Sequence, residues 1–575
     1  MKRYWKYIRP YIQYYILGPC FMMMEVVGDV LLPYMLAKII NQGIAERNVA
    51  YIIKIGAIMG LIAVIMAVGG VLGAWFASKA AMNFGADLRM DLFEKIQQFS
   101  FQNIDNFSTG SLITRLTNDI TQIQNMIMMT LRMCLRSPGI LIGAMVMAFV
   151  ISPKLAAIFI IVLPVLAVLI VVIMRRAFPQ FRTLQEKLDA LNSCIQEGLV
   201  GIRLIKSFVR GDYEEMRFEK RNQQLKEANL TAMKTMLLYT PLMTLALNIT
   251  TVVVVWSGGN MIVAGNMQVG DLTAFTNYIV QIMSSLTMLS IAFLNWARAI
   301  ASFRRVGEVL DEKIDLTDEN AKHKDRAVCE GSVEFQNVSF RYYKNSPEWV
   351  IENISFKLEA GKTLGIIGST GSGKSTLVSM IPRLYDTDEG TVLVDGINVR
   401  DYGLKPLREG IGMVLQNNTL FSGSITENLK WGDEHADEKA VRKAAQNAQA
   451  AGFIDSFKDG YRTRLEQSGN NVSGGQKQRL CIARALLKCP KILILDDSTS
   501  AVDTVTERAI REALHSEYKD MTKIIIAQRI RSVMDADEIL VLDNGKTAGF
   551  GTHEQLLADC PVYREIYDVQ NGREE

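Results

Sequence analysis

The sequence predicts two parts of opposite character: an α-helical membrane domain of six spans with long cytoplasmic helix extensions over residues 1–307, then, past a linker at 308–330, an α/β domain over 331–575. Three observations carry this reading. The chain has 575 residues, enough for two to four domains. Its mean hydropathy of +0.13 is high for a soluble chain of that length, although its 49% hydrophobic and 21% charged residues are ordinary overall. Part of it therefore belongs in lipid. All the long apolar runs fall before residue 300, and beyond about 330 short β-rich runs alternate with helical ones.

The apolar runs cover about 14–37, 51–77, 137–151, 155–174, 236–263 and 272–296. A span needs roughly 20 residues. The third run has only 15 residues and the fourth 20, and they are joined only by Ser152, Pro153 and Lys154, so they read as a tight helical hairpin extended by its flanks. Lys2, Arg3, Lys6 and Arg9 precede the first run, and Arg175, Arg176, Arg182 and Lys187 follow the fourth. The connections at 41–50, 152–154 and 264–271 carry only Arg47 and Lys154. Basic residues are retained on the cytoplasmic side. A multi-pass cell-membrane protein with its N-terminus and its α/β domain in the cytoplasm is expected, since six spans return the chain to the side it started from. Glu25 and Asp29 interrupt the first run and no small-residue cleavage site follows, so it reads as an uncleaved span. The connections at 78–136 and 175–235 are long and amphipathic, and read as helices that continue outside the bilayer.

Composition also narrows the partners. A formal net charge of +3 leaves no nucleic-acid footprint. The seven cysteines (20, 134, 194, 329, 481, 489 and 560) are scattered without a Cys-x-x-Cys pair, which indicates neither a disulfide framework nor a zinc site.

In the α/β part, Gly368, Ser369, Thr370, Gly371, Ser372, Gly373, Lys374, Ser375 and Thr376 follow the strand-like Thr363 to Ile367 and open a helical run. This is the context of a P-loop. Backbone N–H groups close round phosphates, Lys374 is placed to reach the β- and γ-phosphates, and the Ser375 hydroxyl to ligate Mg²⁺. ATP and Mg²⁺ are thus the expected ligands. A second apolar run, Ile492 to Leu495, ends in Asp496 and Asp497, placing a carboxylate at a buried strand end where the P-loop metal would lie. Between them, Ser473, Gly474, Gly475 and Gln476 form a glycine turn feeding a helix, whose first N–H groups suit an anion.

These motifs, in this order, resemble the ATP-binding cassette (ABC) transporters, and the resemblance extends over the whole chain as a half-transporter of the exporter type. It implies a P-loop nucleotide-binding domain with a helical subdomain, and a second half-transporter as partner. It further implies that Tyr342 stacks on adenine, that Gln416 is the Q-loop residue linking Mg²⁺ to the membrane domain, and that Asp503 belongs to the D-loop. Thr109 to Asp119 and Glu197 to Phe218 correspond to the intracellular loops that bear short coupling helices.

Three positions depart from the family pattern. The catalytic glutamate after the Walker B aspartate is Asp497, one methylene shorter, and a displacement of about an ångström can cost roughly 10²-fold in a positioned reaction. The switch histidine is Gln528, which donates a hydrogen bond but carries no charge at neutral pH. Gln467 stands where glutamate usually precedes the signature. The phosphate-binding and signature residues are intact, a combination that resembles the degenerate-site half of a heterodimeric multidrug-type exporter. A slowly hydrolysing homodimer exporting lipid or peptide, and a nucleotide-gated channel or regulator, are the alternatives.

The membrane half offers one polar clue to cargo. Glu25 and Asp29 lie four apart on one helix face, and acid within lipid should face the bundle interior or water. With methionines such as Met22, Met23, Met24, Met66, Met128 and Met283 as an adaptable apolar surface, they suit an amphipathic or cationic small molecule. The alternative is a structural role near the membrane boundary.

Overall fold

The computed structural model describes residues 2–344 and 346–571. Packing divides the chain into two units: Met1–Ile96 with Gly110–Asp311, and Gln97–Thr109 with Glu312–Glu575.

The first unit is helical throughout. Val49–Gln97, Pro153–Val200 and Val269–Asp311 run for 49, 48 and 43 residues. At 1.5 Å per residue each is about 65–75 Å long, more than twice the roughly 30 Å of a hydrocarbon core. The amphipathic stretches after the second and fourth apolar runs are therefore continuations of the same helices. Ser152 makes the hairpin turn expected between the third and fourth runs: its backbone is extended, its hydroxyl accepts from the Leu155 N–H, and Pro153 takes the first helical position. Among the described residues five helical stretches are long and apolar enough to cross a membrane: Trp5–Ile44, Val49–Gln97, Thr109–Ile151, Pro153–Val200 and Gly211–Val263. The sixth expected run, 272–296, lies within Val269–Asp311, where the side chains at 290, 291, 293–295, 297 and 298 are outside the described residues.

Small and aromatic residues interlock inside this unit. Ala144 and Ala148 are fully buried beside Val30, Phe159 stacks on Phe275 at 5.5 Å, and the buried Tyr278 hydroxyl donates to the Val30 carbonyl at 2.8 Å. Small side chains let helices approach where lipid supplies no hydrophobic drive between them. Ile160, Ile161, Val165 and Val168 of the fourth apolar run stay exposed, as an outer face meeting acyl chains requires.

The second unit holds two main sheets. One is antiparallel, in the order Ile351–Leu358, Val333–Phe340, Glu389–Val394, Ile397–Asn398. The other has six strands in the order Lys546–Gly551, Glu538–Asp543, Thr363–Gly368, Thr522–Ile526, Ile492–Asp496, Ile411–Val414, parallel except at the first edge. The central strands read Leu-Gly-Ile-Ile, Ile-Leu-Ile-Leu and Lys-Ile-Ile-Ile because both faces are covered. The helix Phe101–Asp105 belongs to this unit. Ser100 caps it in a reciprocal box with Asn103, Ser100 Oγ and Asn103 Nδ2 bond to Asp315 and Lys313, and Tyr385 reaches it through the Phe101 ring and a 3.0 Å bond to Asp105.

Candidate nucleotide-binding site

Register brings the chemistry to one edge. Ile526 pairs with Asp496 on one side and Ile366 on the other, so three parallel strands finish level. The loops leaving them carry the P-loop, Asp497 and Gln528. The P-loop turns with Gly371 and Gly373 in the left-handed region; a Cβ on Gly373 would lie 2.6 Å from the Ile351 side chain, so glycine is required there. The helix Lys374–Ser379 then begins with its first N–H groups facing the loop.

A cavity of about 320 Å³ opens at this edge, lined by residues 370–376 together with Tyr342, Gln416, Asp496, Asp497 and Gln528. Lys374 Nζ folds into the loop and donates to the carbonyls of Gly368 and Ser369 at 2.9 and 2.7 Å. These oxygens hold the ammonium where it can turn to phosphate. Ser375 Oγ donates to Asp496 Oδ1 at 2.9 Å. A hydroxyl and a carboxylate side by side form the hard oxygen pair that suits Mg²⁺, which completes its shell with water and substrate phosphates rather than with a protein cage. Consistent with that, among the described residues no cluster of three or more His, Cys, Asp or Glu side chains could hold a metal unaided. Tyr342, with its ring edge-on to Phe340 and Tyr385, exchanges a 2.8 Å hydrogen bond with Thr376.

Two of the three departures from the family pattern meet each other. Asp497 has a left-handed backbone (φ 48°), and the Gln528 amide donates to its Oδ2 at 2.8 Å. Burial pushes the pKa of Asp497 up, opposed by this hydrogen bond. Burial likewise raises Asp496 against its Ser375 bond, and lowers Lys374. All three shifts are low-dielectric surroundings working against charge, a penalty that phosphate and a divalent cation relieve.

Other sequence-derived residues lie outside this cavity. Ser473 caps Gly474–Leu487 in a box with Gln476, and Asp503 caps Thr504–Glu517 by accepting from Thr506 N–H at 2.9 Å. The Asp503 carboxylate is thus engaged within its own loop, and those backbone hydrogen bonds lower its pKa. Gln478, which sequence reasoning did not single out, ties the signature helix to the 500–503 loop by accepting from Ala501 N–H and donating to Ser500. Gln467 begins a short turn in which Ser468 is left-handed.

Residues 15–286 match the family model for the ABC transporter transmembrane region, and residues 351–500 that for the ABC transporter domain. The chain belongs to the ABC transporter family. It is 39% identical to the uncharacterized ABC transporter ATP-binding protein YfiB of Bacillus subtilis, over 100% of this chain and 99% of that protein. It is 37% identical to the uncharacterized Mycobacterium tuberculosis protein Rv1273c, over 98% and 97%. YgaD of B. subtilis, whose name refers to multidrug export, is 33% identical over 99% of both chains. A solved structure described as a bacterial Atm1-family ABC exporter with ATP bound superposes with a TM-score of 0.81 over 98% of both chains at 24% identity, so the transporter shares that fold.

In the transporter's membrane unit, Glu25 and Asp29 do lie together, but with a partner. Arg136 Nη2 is 2.8 Å from Glu25 and 3.4 Å from Asp29, and Gln281 donates to the Asp29 carbonyl at 2.7 Å. Arg136 is the last residue of the 78–136 connection, one before the apolar run beginning at 137. Two carboxylates against one guanidinium leave one formal negative charge.

Proposed function

We propose that this transporter is one half of a heterodimeric ATP-driven exporter of amphipathic, cationic small molecules, whose own ATP site is degenerate and whose signature loop completes the competent site of its partner. The Gln528–Asp497 hydrogen bond is the observation that carries this reading. An uncharged amide holds the carboxylate that would position water, and it supplies neither the proton nor the positive charge of a histidine. Lys374 and the P-loop N–H groups would bind the phosphates, Ser375, Asp496 and Gln416 would hold Mg²⁺, and Tyr342 would stack on the base. Mg²⁺, when bound, neutralises charge on the β- and γ-phosphate oxygens. Ser473 to Gln476 lie outside this chain's P-loop cavity at the start of a capped helix, as a loop serving another chain's ATP would.

The multidrug assignment leans on the name of YgaD and on the net negative Glu25–Asp29–Arg136 group. An intact Asp497 carboxylate in the cavity favours a second reading, a slow homodimer. Purifying the chain from its native membrane, identifying what co-purifies, and comparing the ATPase rate of the complex with that of the chain alone separates them. A chain that dimerises with itself and hydrolyses as fast as the native complex rejects the degenerate-site reading.

A further inference from the structure

The C-terminal helix Pro561–Asn571 packs its apolar face on the loop that follows Ile526 and hydrogen-bonds to that loop's backbone through Gln570. Gln570 Nε2 donates to the Gln528 carbonyl at 2.8 Å, and Gln570 Oε1 accepts from the Ile530 N–H at 2.8 Å. One carboxamide thus satisfies a backbone acceptor and a backbone donor two residues apart, as a neighbouring strand would, where among the described residues no strand pairs with the loop. The helix does not depend on this contact for its place. Tyr563 is fully buried, and Val562, Ile566 and Tyr567 pack with it against Ile530 and Val533. Gln570 itself is exposed, so hydrogen bonding rather than burial directs it. It also lines, with Asp497, Ser500 and Gln528, a cavity of about 590 Å³ beside the P-loop cavity.

We propose that Gln570 is a positioning residue for the switch loop, holding residues 528–530 where the Gln528 amide meets the Asp497 carboxylate. The inference rests on the reading of Gln528 as the switch position. It makes the last helix a tether through which events at the C-terminus reach the ATP site, without Gln570 touching nucleotide. Such a tether acts on a loop whose free energy of local opening is small compared with that of the sheet behind it.

The test uses the full-length complex, unmodified and with Gln570→Ala, Gln570→Glu or Gln528→Ala. Hydrogen–deuterium exchange reads the loop, and photolabelling with azido-ATP reads the lifetime of nucleotide on this chain, which ends measurably whether by cleavage or by release. In Gln570→Ala, exchange over 527–534 should rise about tenfold while 363–368 and 522–526 are unchanged, and the nucleotide lifetime should shorten about threefold. Gln570→Glu, which still accepts from Ile530 but cannot donate to Gln528, should fall between. Unchanged loop exchange in Gln570→Ala overturns the proposal, as does faster exchange with an unaltered nucleotide lifetime. If Gln570→Ala shortens that lifetime and Gln528→Ala does not, the tether stands and the switch reading of Gln528 is what fails.

Discussion

Gly475 has no room for a side chain, because a Cβ there would lie 2.7 Å from the Ala501 carbonyl of its own chain, whereas at Gly474 it would meet only the Ala501 methyl at 3.7 Å. Gly474→Val is therefore the clean probe of the signature loop. In the purified complex it should lower steady-state ATPase about 100-fold, the scale of losing preorganised donors at a reacting phosphate. On the proposed heterodimer reading, Lys374→Ala in the same chain should retain most turnover, since transition-state stabilisation is lost only where the reaction occurs; equal losses would make the two sites equivalent. Gln528→Ala removes a hydrogen bond that favours the ionised form of Asp497, so its pKa should rise further and the acid limb of nucleotide cleavage on this chain should move to higher pH. A pH–rate profile that stays put or moves the other way rejects that link. Lys374, Ser375 and Asp496 were legible because contiguous motifs fix their own local geometry. Arg136, Tyr385 and Gln570 were not, since each acts on residues 40 or more positions away that only packing brings near.

Among elements, the helix Phe101–Asp105 shows where sequence order and packing part company. The intracellular loop expected by resemblance began at Thr109, yet the short helix that packs with the nucleotide-binding unit lies just before it, capped by Ser100 and held by Tyr385. Tyr385→Ala removes the ring contact and the hydrogen bond to Asp105. Amide exchange across 101–105 should then rise several-fold, with the strands at 333–340 and 363–368 unaffected; no change would mean that Ser100 and Asn103 suffice. The helices Ile12–Lys38 and Arg136–Ile151 are joined by the Arg136 ion group. Removing one member of a buried ion pair costs about 3–5 kcal/mol, more than replacing the pair. These side chains keep 20–29% exposure, so the cost should be smaller but its ranking the same. Arg136→Gln should lower thermal stability in detergent more than Glu25→Gln, Asp29→Asn and Arg136→Gln combined. The four-residue spacing of the acids was readable as a shared face; the arginine across from them was not.

At the scale of the whole molecule, the division into a helical membrane part and an α/β part was legible because apolar runs and short β-rich runs differ in length and period. Orientation follows from the charge distribution: tags at residues 1 and 575 should both be protected from protease in sealed cells and cleaved in inverted vesicles, and an external terminus would remove the six-span arrangement. Where one unit ends was less readable, because Gln97–Thr109 is enclosed in sequence by the membrane unit and packs with the other. That interruption sets an order of events during synthesis. The segment leaves the ribosome roughly 200 residues ahead of the rest of its unit, which at about 5–20 residues per second is a wait of roughly 10–40 seconds. Phe99 and Phe101 spend that interval without Tyr385 and the sheet behind it. A C-terminal fragment made by itself, however well its strands pair, emerges one helix short.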